Sequence, residues 1–235
     1  FLRNMEHQLR TPFAGIYSMV ELLAGMEKDS DKKQMLELTY KSAKEFYDLL
    51  NNIIEFSRFQ VDKNVILDKK INLRKIIEKA IAMEQAAAAV KKLEIILKYP
   101  KTVPDIFIGD GARIERIILN LLSNAVKFTD EGHIEIKTKL AHKEDNRKFI
   151  IQIIVSDTGI GIAEDKQQLI YEKFYREYPA NQNKYGGAGL GLHMVKQLIE
   201  DLSGEIEVVS EKGEGSVFTC TLPLKRPLVE GMLSL

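Results

Sequence analysis

Apolar residues open the chain at helical spacing: Leu2, Met5, Leu9, Pro12/Phe13, Ile16, Val20 and Leu23 advance in steps of three and four, the rhythm of a coiled-coil seam. The polar run Glu27-Lys-Asp-Ser-Asp reads as a turn, with Ser30 or Asp31 suited to cap a second helix. That helix carries Met35, Ser42, Phe46, Leu49, Ile53 and Phe56 on one stripe and Leu36, Ala43 and Leu50 on a neighbouring one. An apolar face this wide suits more than one partner helix. A lone hairpin of about 60 residues has a thin core, so two hairpins are predicted to pair as a four-helix bundle, making the protein a homodimer.

Beyond Gln60 the rhythm changes. Val65–Leu67 is a short strand candidate, Leu73–Val90 an alanine-rich helix, Leu93–Tyr99 a strand ended by Pro100, and Ile106–Ile108 a short extended piece. Ala112–Phe128 repeats apolar positions at Ile114, Ile117, Ile118, Leu121 and Leu122, a helix. Two long strands, His133–Ala141 and Lys148–Val155, flank a polar turn; residues 189–203 form another helix; Glu205–Ser210 and Ser216–Leu222 make a closing hairpin. The pattern predicts a dimerising two-helix hairpin over 1–60, an α/β sandwich over 67–223 with helices covering one face of a sheet, and a linker or tail over 224–235.

Composition narrows the classes. The 235 residues hold 34 basic and 34 acidic side chains, a net charge of zero, which argues against a nucleic-acid partner bound through counterion release. The single cysteine, Cys220, lies in an alternating strand pattern and reads as buried, and no internal disulfide can form, which fits a reducing compartment. No apolar run approaches the ~20 residues that span a bilayer, and no signal peptide is present. Because the sequence starts at Phe1 inside a helical pattern, it is expected to be a cytoplasmic fragment, consistent with a full-length protein anchored in the inner membrane.

The chemistry begins at His7. With Leu2 at heptad position a and Met5 at d, His7 falls at f, furthest from the seam, where an imidazole is exposed and near its ordinary pKa. Pro12 removes the helical partner of the Gln8 carbonyl, so a kink is expected just after the histidine. Asn120 and Asn124 stand one helical turn apart on one face, and an amide oxygen is a hard neutral ligand suited to Mg²⁺. Asp157 ends a strand; a carboxylate accepts from the exocyclic amine of adenine but not from the guanine carbonyl. Gly159 and Gly161 let backbone approach a flat base, and Gly187, Gly189 and Gly191 open a helix whose free N–H groups suit phosphate. The polar stretch from Arg176 to Tyr185 reads as a lid over nucleotide, with Arg176 and Lys184 as possible charges toward the phosphates. His133 and His193 read as structural.

Together these motifs resemble a known family. His7-Gln-Leu-Arg-Thr-Pro12 is similar to the phosphoacceptor box of sensor histidine kinases of two-component systems, and Asn120-Leu-Leu-Ser-Asn-Ala-Val-Lys-Phe128 to their N box. Asp157-Thr-Gly-Ile-Gly161, Glu172-Lys-Phe174-Tyr and Gly187-Ala-Gly-Leu-Gly191 resemble the first glycine, phenylalanine and second glycine boxes. The likeness covers roughly residues 1–223 and is nearest the hybrid sensor kinase group. It implies a Bergerat-type ATP-binding domain and ATP-dependent autophosphorylation of His7. ATP would be bound by Asn120, Asn124, Lys127, Asp157, Gly159, Gly161, Phe174, Gly187, Gly189 and Gly191, with Asn124 as the Mg²⁺ ligand. It also implies transfer to an aspartate of a response-regulator receiver domain. Asp110 and Arg113 match the lead-in to the N box and are expected to be structural; Arg116 has no assigned role.

One departure stands out. The family places an acid immediately after the histidine; here it is Gln8, which hydrogen-bonds but has no useful basicity. The acid belongs to a phosphatase-linked pattern that Thr11 fits and Gln8 does not. A nucleotide-binding signalling module with weak or no kinase activity is therefore the alternative. An ATPase of the chaperone or topoisomerase kind is a further rival, against which the histidine hairpin speaks. No P-loop and no HRD or DFG set is present.

Overall fold

Two helices, α1 (Leu2–Met26) and α2 (Ser30–Val61), form a hairpin in a computed structural model that describes residues 2–26, 29–61, 67–143, 147–176 and 189–227. Side chains of residues 2–13, and most of those after Leu50 in α2, lie outside that description. The expected exposure of the His7 ring therefore also lies outside it. The backbone of α1 runs through Pro12 as one continuous helix. The cap of α2 is Asp29, not Ser30 or Asp31: its Oδ1 accepts the N–H groups of Asp31 and Lys32, each at 3.1 Å. Ser30 is already the first helical residue, and Asp31 instead places an acid in the first turn, where the helix dipole favours it.

Within the hairpin, Tyr17 of α1 stacks on Tyr40 and Tyr47 of α2 with ring centroids 4.8 and 6.3 Å away. The Tyr17 and Tyr40 hydroxyls meet at 2.5 Å, and Tyr40 donates on to Glu21 at 3.1 Å. Leu36, Ala43 and Leu50 are half-buried, whereas Ile16, Met19, Leu23 and Met26 of α1 and Met35, Leu38 and Phe46 of α2 are exposed. The described part of one apolar stripe is thus largely exposed in the single chain.

The chain divides into two compact units, one built on Phe1–Asn64 and Tyr178–Gly191, the other on Val65–Glu177 and Leu192–Leu235. The second opens with β1 (Lys69–Asn72), α3 (Leu73–Val90), β2 (Glu94–Lys98), β3 (Ile106–Gly109) and α4 (Gly111–Phe128). It continues with β4 (His133–Lys143), β5 (Lys148–Asp157), α5 (Gly191–Asp201), β6 (Glu205–Glu211) and β7 (Gly215–Lys225). The sheet runs β1-β3-β7-β5-β4-β2, with β6 paired to β7; β2 and β4 are parallel and the other pairs antiparallel. Alternation decides its faces: Ile134, Ile136, Phe149, Ile151, Ile153, Val155, Phe218, Cys220, Leu222 and Leu224 are buried, and their neighbours along each strand are not. The buried Ile114, Ile117, Ile118, Leu121 and Leu122 of α4, with Leu73 and Ile77 of α3 and Val195 and Leu198 of α5, complete this core.

The first strand of this unit is Lys69–Asn72, where only Ile71 is buried; of the strand expected at 65–67, Leu67 lies outside any element and the other two residues lie outside the described set. The ends of the unit adjoin. Lys225 pairs with Asp68 at 3.1 Å, Ile108 of β3 sits opposite Lys225 in the ladder, and Leu67 donates its N–H to Asp110 at 3.3 Å. Asp110 is 2% exposed and caps α4 by accepting from the Arg113 N–H at 3.1 Å. Burial pushes its carboxyl up, but the Arg113 and Leu67 donors outweigh that and hold it below the usual carboxylate value. Asp110 and Arg113 are structural, as expected. Among the described residues no helix is long and apolar enough to cross a membrane.

Candidate functional site

α4 turns its apolar face inward and leaves Arg116, Asn120, Asn124 and Lys127 half-buried along one line, spaced four, four and three residues apart as neighbours on a helix are. Asn120 donates its amide N–H to the carbonyl of Arg116 at 2.9 Å, which leaves the amide oxygen outside that bond. The Lys127 ammonium lies 4.4 Å from the centre of the Phe128 ring. Burial first, and the nearby Arg176 guanidinium second, pull Lys127 down from 10.5 to about 8. A site that weakens its own cation in this way is suited to a polyanion that restores the charge.

Asp157 closes β5 opposite Ser216 of β7. Its Oδ1 accepts the Gly159 N–H at 2.9 Å. Burial pushes its carboxyl above the ordinary value, and the Gly159 and Ser216 peptide donors counter only part of that rise. The loop that follows is stitched on both sides. Ile160 donates its N–H to the Phe128 carbonyl at 3.2 Å, so the loop hangs from the end of α4. Gly213 donates to the Ile160 carbonyl at 2.8 Å and Ile162 to the Ser210 hydroxyl at 2.8 Å, so it also hangs from the β6–β7 hairpin. These bonds tie the end of α4, one turn beyond Asn124, to the loop that follows Asp157.

Gly159 and Gly161 each stand against protein backbone. A Cβ on Gly159 would stand 2.5 Å from the Phe128 carbonyl oxygen. On Gly161, whose φ is +64°, it would stand 1.9 Å from the carbonyl oxygen of Glu211. Both therefore admit neighbouring protein backbone. Gly189 also has positive φ, +70°, and Gly191 opens α5; Gly187 and Lys184 lie outside the described residues. Phe174 is 60% exposed with φ +63°, a left-handed conformation rare for an aromatic. His193 is structural: its Nδ1 lies 2.9 Å from the Tyr171 carbonyl. His7, Gln8 and Thr11 belong to α1, in the other unit.

Sequence reasoning missed Ser216, whose peptide N–H helps fix Asp157, and Lys91, whose ammonium reaches the end of α4. Nothing in a serine at a strand start flags the first. A lysine directly after a helix would have flagged the second only through its helix-ending position.

Among the described residues no group of three or more His, Cys, Asp or Glu could hold a metal. The oxygen donors on the α4 line are amides, and Mg²⁺, which keeps several waters and takes one or two protein oxygens, matches such a set.

Comparison with known proteins agrees with this architecture. Residues 109–226 match the family of histidine kinase-, DNA gyrase B- and HSP90-like ATPases, and residues 1–61 match the His Kinase A (phospho-acceptor) domain. The chain is 34% identical over 97% of its length to hybrid signal transduction histidine kinase B of Dictyostelium discoideum, covering 12% of that protein. It is 34% identical over 96% to the sensor histidine kinase GacS of Pseudomonas protegens and 32% identical over 93% to the signal transduction histidine-protein kinase BarA of Escherichia coli, covering 24% of each. The chain thus spans a quarter or less of these relatives. Among solved structures, full-length ShkA in complex with AMPPNP matches with TM-score 0.73 and 25% identity over 97% of this chain and 46% of that one. The mycobacterial sensor histidine kinase MprB shares the fold, with TM-score 0.53 and 24% identity over 68% of this chain and 99% of that one. With a phospho-acceptor hairpin followed by an ATPase domain of this type, the chain belongs to the sensor histidine kinases.

Proposed function

We propose that this chain binds Mg²⁺–ATP at the α4–Asp157 edge of its α/β unit, phosphorylates itself on His7, and passes the phosphoryl group to an aspartate of a response-regulator receiver domain. The observation that carries the reading is the joining of the α4 amide line to a peptide-fixed, half-buried carboxylate at Asp157, on a chain that also holds a phospho-acceptor hairpin. Asp157 accepts from the exocyclic amine of adenine, Lys127 and Arg176 meet the phosphates, and the N–H groups opening α5 at Gly191 add donors. Asn124, with Asn120 beside it, would hold Mg²⁺, which when bound neutralises phosphate charge. A neutral imidazole nitrogen of His7 forms the new N–P bond as the bond from the γ-phosphorus to the β–γ bridging oxygen breaks, and ADP leaves. Catalysis is then mostly positioning and electrostatics. The paired reading of the hairpin, a homodimer, is supported by the exposure of Ile16, Met19, Leu23 and Met26 on α1 and of Met35 and Leu38 on α2. The domain boundaries we propose are 1–60 and 67–223.

Incubation with γ-labelled ATP tests the proposal. Acid-labile label on the wild-type chain and none on His7→Ala is expected. Phosphate release with no phosphoprotein would favour a gate-type ATPase. Nucleotide binding with neither label nor release would favour the non-catalytic module that Gln8 motivates.

A further inference from the structure

We infer that Lys91 is a positioning residue for the phosphate end of the nucleotide; this rests on the proposed ATP site. α3 ends at Val90, Lys91 is its C-cap, and Lys92 takes φ +59° to turn the chain. That turn sends the Lys91 ammonium to the far end of the neighbouring helix. It donates to the carbonyls of Val126 at 2.9 Å, Lys127 at 2.8 Å and Thr129 at 2.9 Å. Asp130 lies 3.7 Å away. An ammonium has three N–H donors, and all three are spent on the last turn of α4. The remaining carbonyl of this turn, that of Phe128, accepts from Ile160. Four successive carbonyls are thereby held, three by one side chain and one by the loop that follows Asp157.

The consequence is electrostatic as well as geometric. Asn124 and Lys127 belong to the C-terminal end of α4, where a helix dipole is negative and repels an anion. A triphosphate would have to approach that end. The Lys91 charge, coordinated to the same carbonyls, cancels the repelling field and fixes the turn from which the Lys127 side chain extends. Asp157 is held directly by Gly159 and Ser216, and Lys91 touches the base end only at one remove, through the Phe128–Ile160 bond. A residue acting this way weakens ligands in proportion to their phosphates. One that merely supports the fold weakens all of them alike.

The test is calorimetric titration of adenosine, AMP and ADP with Mg²⁺ into the full chain, as wild type, Lys91→Met, Lys91→Gln and Lys91→Arg. For Lys91→Met we expect ADP to bind about tenfold more weakly, the size of a partly buried charge effect at a helix terminus. AMP should lose less, adenosine should stay within about twofold, and Lys91→Arg should recover most of the ADP affinity. If Lys91→Met melts below the assay temperature, Lys91→Gln makes the same comparison with two N–H donors retained and the charge removed. Equal losses for all three ligands, or unchanged ADP affinity in a folded variant, would overturn the inference. Failure of the wild-type chain to bind ADP would instead overturn the ATP site itself.

Discussion

The peptide N–H of Gly159 reaches back to Oδ1 of Asp157 at 2.9 Å, so the carboxylate is aimed by the loop it begins. Fixing it there keeps an acid partly out of water, and its ionisation costs folding stability. Both folded and unfolded chains hold the proton below pH 3.8, so the cost is absent there; it is complete once the pH has risen past the elevated folded value. Asp157→Asn should therefore be more heat-stable than wild type at about pH 7, with the gap closing as the pH falls toward 3.8. The same variant should bind ATP about a hundredfold more weakly, the scale of a lost hydrogen bond to a charged group. Melting curves across pH and a nucleotide titration check both.

Lys127 predicts a proton uptake. Burial and Arg176 bring it to about 8 in the nucleotide-free chain, and a bound polyphosphate draws it upward again. ADP affinity should be highest below that value and fall as the pH rises through it. Titrations in buffers of differing ionisation heat should show protons taken up near pH 8 by wild type and none by Lys127→Met.

Gly161 and Gly213 both have positive φ, yet they should respond differently to alanine. The added methyl of Gly161→Ala collides with the Glu211 carbonyl, whereas nothing lies within 4 Å of the same methyl on Gly213. The first should cost about 3 kcal/mol or more and loosen ATP binding, since the loop from Asp157 must shift. The second should cost only about 1 kcal/mol, the penalty for a left-handed residue. Denaturant unfolding separates the two.

Gln8 should limit the rate of phosphorylation. Gln8→Glu restores an acid beside His7 and should raise the initial labelling rate by about a hundredfold if it supplies general-base help. Equal rates in parent and variant would strip the glutamine of special meaning.

The exposed seam predicts an assembly. Ile16 and Leu23 are exposed, 52% and 48%, in the single chain, and charges there should split the pair. Ile16→Glu with Leu23→Glu should convert a dimer to a monomer in light scattering at micromolar concentration. ADP affinity of the α/β unit should not change.

What could be read from the sequence followed amphipathic period. Helices such as α4, and long strands such as β5, announce themselves because one face is buried along their whole length. β1 does not, since Lys69, Lys70 and Asn72 surround a single buried Ile71 and the strand exists through its pairing with β3. The cap of α2 falls at Asp29 and not at Ser30 or Asp31 because all three are good caps and only the geometry chooses. The chemical residues on α4 and at Asp157 were legible as types at a spacing. The reason for the glycines was not, since carbonyls from Phe128 and Glu211 fill the space beside them. Nor was the tie from Lys91 to Thr129, 38 positions along the chain.

The Asp68–Lys225 pair has an evolutionary corollary. A module whose entry and exit ends meet behaves like a plug-in cartridge. It can be spliced between unrelated neighbours while its interior keeps its shape, and shuffling of such cartridges is one route by which a single nucleotide engine comes to serve many different inputs.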